Sequence, residues 1–151
     1  MSLKQQIDAD IKQAMLGGDK VLTTTLRGLK SAILYVEVAK NKREEGLTDD
    51  EITEVLSKEA KKRQESADLY VQGGNQVKAD EELVEKIVIE KYLPAQISEE
   101  ELKGIIDKVV TETGATGPQG MGQVIGAVKA QVGAQAEGAV IARLVKERLA
   151  Q

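Results

Sequence analysis

Apolar residues recur along this chain at helical spacing and at no other. Leu3, Ile7, Ile11 and Met15 step by four, which predicts a first amphipathic helix closed by Gly17-Gly18. Asp19 is placed to cap a second helix reaching about Lys42. Its seam of Leu22, Leu26, Leu29, Ile33 and Val36 is spaced by 4, 3, 4 and 3, the stripe of a helical bundle. Thr48 and Glu51 form a capping box opening a third helix over 49–71, which ends at Gly73-Gly74. A fourth helix over 78–92 carries Leu83, Val84, Ile87 and Val88 and must stop by Leu93, because Pro94 disfavours helical backbone before it. Ser98 and Glu101 form a second capping box, followed by Leu102, Ile105, Ile106 and Val109. Residues 114–120, with Gly117-Pro118, read as a turn, and two short helices over 120–131 and 136–150 follow, divided near Gly133. No window alternates with the period of a strand. The expectation is an all-α protein: an N-terminal helical bundle, 1–94, followed by a smaller three-helix C-terminal domain, 95–151.

Composition narrows the chemistry. The 151 residues are 41% hydrophobic and 30% charged, an ordinary globular balance, and with three tyrosines and neither Phe nor Trp the core must be aliphatic. There is no His and no Cys. That removes zinc sites of the Cys/His kind, disulfides, thiol nucleophiles and every general base built on imidazole. The five serines (2, 31, 57, 66 and 98) have no histidine to activate them, leaving only a Ser–Lys pair as a conceivable nucleophile. No catalytic residue, metal or cofactor is expected. No apolar run is long enough to span a bilayer and the first residues lack a signal-peptide core, so the expectation is a cytoplasmic protein without a membrane partner. The net charge of −4 argues against nonspecific nucleic-acid binding, and any RNA contact needs a local basic patch.

Two stretches break the apolar pattern. On the third helix Arg63 stands on the stripe defined by Leu56 and Tyr70, each seven residues away, with Ser66 and Glu59 beside it. Arg27, Lys30 and Glu37 flank the seam of the second helix, and Glu90 falls three past Ile87 on the fourth. Charges at half-buried positions must pair. Arg63 therefore either joins Glu90 or Glu37 in a structural network, or contributes with Arg27, Lys30 and Lys62 to a site for an anion such as phosphate. The second stretch is Gly120 to Lys129. Gly122 and Gly126 lie one turn apart, and each costs about 1 kcal/mol relative to Ala inside a helix. Either another helix packs closely there, or a ligand such as an RNA backbone approaches the helix. From 117 to 151 the cations Lys129, Arg143, Lys146 and Arg148 outnumber Glu137 and Glu147, a local charge of +2 against −6 for the rest. With so few aromatics, RNA would be read by shape and phosphates rather than by base stacking.

Leu26-Arg27 with Lys30, Lys62-Arg63 with Ser66, Tyr92-Leu93-Pro94, Ser98 to Leu102, Gly114-Ala115, and Met121-Gly122 with Gly126 resemble the YqeY (GatB/YqeY) family pattern from end to end. The resemblance implies a helical bundle joined to a three-helix domain similar to the tail of the B subunit of tRNA-dependent amidotransferases, a part associated with gripping tRNA. It also implies the family's label, a carbon–nitrogen ligase activity with glutamine as amido-nitrogen donor, although the parent enzyme's chemistry belongs to other domains. On this reading the chain is a non-catalytic accessory. It binds tRNA, or a tRNA-handling amidotransferase or synthetase, through Gly122, Gly126, Lys129, Arg143 and Lys146. A helical adaptor without RNA and a stand-alone amidase or ligase are the alternatives. The chain departs from the family in the loop between the last two helices. That loop usually carries basic residues around a glycine and here reads Gly133-Ala134-Gln135-Ala136-Glu137-Gly138. A usual Met in the glycine helix is Ile125.

Overall fold

Ser2 and Gln5 start the first helix with a reciprocal cap. The Gln5 N–H donates to the Ser2 hydroxyl and the Ser2 N–H to the Gln5 side-chain oxygen, so two backbone donors of the first turn are satisfied locally. A computed structural model describes all 151 residues and continues from there as seven α-helices without strands. The chain divides into two units, Met1–Leu93 and Pro94–Gln151.

The first unit contains α1 (Leu3–Leu16), α2 (Lys20–Ala39), α3 (Asp49–Gln72) and α4 (Gln76–Glu90). Asp19 caps α2 by accepting from the Leu22 N–H, Thr48 and Glu51 form the reciprocal box of α3, and Asn75 caps α4. The α2 seam is the centre of the core. Leu26, Leu29 and Ile33 are buried against Ile7, Ile52 and Leu56, each such side chain contributing about 1.5–3 kcal/mol. Helix α2 ends three residues short of the expected Lys42, because Asn41 takes a positive φ of 56° that no helix continues. The following loop is fastened by Glu51, which accepts from Lys42 and Lys40 and from the Thr48 N–H. Those bonds, Lys42 first, hold its carboxyl down at about 2.

Two expectations about packing fail in this unit. Met15 is exposed, and Ala14 takes the buried place at the end of α1. On α4 the buried face is made by Ala79 and Ile89, with Leu83 and Val88 half-buried, while Val84 and Ile87 point outward and Glu90 is exposed rather than within the apolar face. Small residues explain the rotation: Ala67 on α3 and Ala79 on α4 are both buried, and alanines let helices approach without the long side chains that mark a seam.

The second unit packs α5 (Glu99–Thr113), α6 (Met121–Val132) and α7 (Gly138–Leu149) around Leu102, Ile106, Val124, Val128, Ile141 and Val145. Ser98 caps α5 by accepting from the Glu101 N–H, but the return bond expected of a capping box is not made. Gly120 could not carry a side chain, since a Cβ would lie 2.7 Å from that of Ala115. The segment before α5 is stitched to the turn before α7, where the Ile97 N–H donates to the Gln135 carbonyl at 3.0 Å and the Gln96 amide to that of Ala134 at 2.9 Å. No helix of the chain is long and apolar enough to cross a membrane.

Candidate functional site

The polar residues of the first unit assemble into separate pairs. Arg63 donates to Glu59 at 2.5 Å and to Glu85 of α4 at 3.2 Å, so its partners are neither Glu90 nor Glu37. Glu59 is one turn back on the same helix, and Glu85 sits on the side of α4 that the true packing turns toward α3. Glu90 makes only a 3.5 Å pair with Lys86 of its own helix. Glu37 is the buried member of the set, 1% exposed, and is bound by Lys4 of α1. The four cations do not converge. Arg27 reaches Met15 and Lys30 pairs with Asp8, both on α1, whereas Lys62 and Arg63 are occupied by Glu59. Ser66 is half-buried beside them and completes no anion site. What this arrangement does chemically is fix helix against helix.

The second unit keeps its candidates on an open face. Gly122 and Gly126 are exposed, and a Cβ built on either meets nothing within 4 Å. Within this unit, close packing of another helix is therefore not what these glycines serve. Lys129, seven past Gly122, extends over the first turn of α7, its Cε and Nζ each 3.5 Å from where a Gly138 Cβ would be, and it pairs with no carboxylate. On α7 the cations part company. Arg143 is taken up by Glu99 of α5 and by Glu147 at 3.3 Å, and Arg148 by Asp107 of α5 at 2.6 Å. Lys146 lies about 200° around the helix from Arg148, exposed and without an ionic partner. Gly122, Gly126, Lys129 and Lys146 thus remain available; Arg143 is engaged elsewhere.

A model of the family described as Yqey-like protein matches residues 4–149, from the first turn of α1 to the end of α7. The chain belongs to the YqeY family. A search of curated proteins finds no match to it. In this YqeY-family chain the match takes in both units, so the glycine face and the polar network lie within the family's extent.

One feature escaped the sequence pattern. The Tyr92 hydroxyl donates to Asp10 at 2.5 Å, joining the residues after α4 to α1 across 82 positions of sequence. Burial, and then the Asp10 carboxylate, push this phenol well above its ordinary value. Both residues line a cavity of about 500 Å³ with Gln13, Leu22, Val88 and Lys91. The Tyr92-Leu93-Pro94 run is recognisable in the sequence, but nothing there signals Asp10 as the partner of Tyr92.

Proposed function

We propose that the second unit docks the backbone of a folded RNA, with tRNA the class the family resemblance favours, and that the protein is a non-catalytic accessory of glutamine-dependent tRNA amidation. The observation that carries this reading is the bare surface at Gly122 and Gly126. Two glycines that weaken a helix and have no neighbour within their unit leave a stretch of backbone open to close approach. Lys129, seven past Gly122 on the same face of α6, and Lys146, exposed on α7, are cations free to meet phosphates. The unit carries six basic and seven acidic residues, so its attraction for RNA is local, modest and set by few phosphate contacts.

Replacement of Gly126 by Leu separates docking from folding. An open position accepts the side chain, and helix propensity alone raises stability by up to about 1 kcal/mol. The bulk keeps an RNA backbone at a distance. The expected result is tRNA retention on filters lost in Gly126→Leu, with a melting temperature equal to or above that of the wild type. Unchanged tRNA binding removes the glycine face from the account. Absence of binding by the wild type leaves the protein–protein adaptor.

A further inference from the structure

Helix α4 has two apolar faces and the fold uses one of them. Ala79 and Ile89 are fully buried, while Val77, Val84 and Ile87 are 70%, 51% and 58% exposed. The steps from Val77 through Asp80, Val84 and Ile87 to Lys91 are 3, 4, 3 and 4, the spacing of a coiled-coil seam. Its apolar members face outward, and at its end the exposed Lys91 stands on the rim of the cavity described above. Its two charged members are unpaired. Asp80 accepts only from the Gln76 amide at 2.8 Å, and Lys91 takes part in no ion pair, the C-terminal pair of α4 being Lys86–Glu90.

We propose that α4 is the contact helix of a symmetric homodimer, laid antiparallel against α4 of a second copy of this chain. A two-fold axis between Val84 and Ile87 sets Val84 of each copy against Ile87 of the other. The same placement sets Asp80 of each against Lys91 of the other, so both ends of the seam close on opposite charges. A parallel pairing in register sets Asp80 against Asp80 and Lys91 against Lys91, and repulsion excludes it. This self-complementarity selects a second copy over a foreign helix, which would have to supply the same two charges at the same separation. Charges within a seam lower affinity while fixing register and direction. A single helix of 15 residues, about 22 Å long, buries less than a standard interface, so the dimer is weak and concentration-dependent.

Sedimentation equilibrium of the full chain from about 1 µM to about 1 mM tests this over the range of weak association. The wild type is expected to pass from monomer to dimer across that range, and Ile87→Glu to remain monomeric. Asp80→Lys alone and Lys91→Asp alone are each expected to associate about tenfold more weakly or worse. Mixed in equal amounts, these two variants carry complementary seams, and association is expected to return to the wild-type level. All three substitutions fall on exposed positions, so melting and helix content should match the wild type. A wild type monomeric throughout, a dimer indifferent to Ile87→Glu, or folded single variants that fail to associate when mixed would each overturn the proposal.

Discussion

Lys4 holds both carboxylate oxygens of Glu37, at 2.7 and 3.0 Å, where Glu37 is 1% exposed within the α2 seam. A carboxylate buried among aliphatic side chains costs several kcal/mol unless a cation meets it, and here one lysine from α1 is the only side chain that does. The pair pins α1 across α2, and the Leu3 N–H adds a bond to Asp49 at 3.1 Å.

Lys4→Met removes the cation and leaves the charge. The expected loss is about 3 kcal/mol, at the low end for a broken buried pair, because Lys4 itself is 38% exposed and water reaches that side. Adding Glu37→Leu should recover most of the loss, since an aliphatic residue suits that position. Urea unfolding of the two single variants and the double variant measures both effects. A loss confined to a few tenths of a kcal/mol in Lys4→Met would show that Glu37 is solvated.

Arg63→Met is expected to cost about 1–2 kcal/mol, because Glu59 and Glu85 keep some exposure and its loss strands no fully buried charge. Glu85→Gln should weaken the bundle, and Glu90→Gln should change stability by less than about 0.5 kcal/mol. Equal effects from the two glutamate substitutions would contradict the assigned pairing.

Tyr92→Phe deletes the hydroxyl that binds Asp10 and should cost about 1–2 kcal/mol near neutral pH. Its pH dependence has a definite sign. The folded phenol holds its proton above the usual value near 10, so its contribution is complete below that pH and is lost as pH rises further, where the unfolded chain has already released the proton. Wild-type stability should therefore fall more steeply than that of Tyr92→Phe above about pH 10. Parallel alkaline limbs in the two proteins would show that the phenol titrates normally.

The sequence displayed some of this and concealed the rest for physical reasons. The α2 seam was legible because Leu26, Leu29 and Ile33 are long, aliphatic and evenly spaced. The α4 face was not, because Ala79 marks its contact with α3 while Val84 and Ile87 form an equally regular stripe facing outward. Periodicity reports that a face is apolar and not which neighbour covers it. Glu37 stands four past Ile33, on the seam side of α2, and that spacing was the one signal of its burial. Gly122 and Gly126 stood out by their cost in a helix, yet only neighbouring coordinates show the space beside them to be open. Arg143 is engaged by a glutamate 44 residues earlier, a distance at which charge spacing carries no information.

The salt dependence of tRNA binding bears most directly on the central claim that the second unit meets RNA through a few phosphates beside bare helix backbone. With Lys129 and Lys146 as the two proposed phosphate contacts, log K against log salt should fall with a slope of about −2, and Lys129→Ala and Lys146→Ala should each reduce that slope by about one. Binding with no salt dependence, or a slope unmoved by both substitutions, would contradict the account.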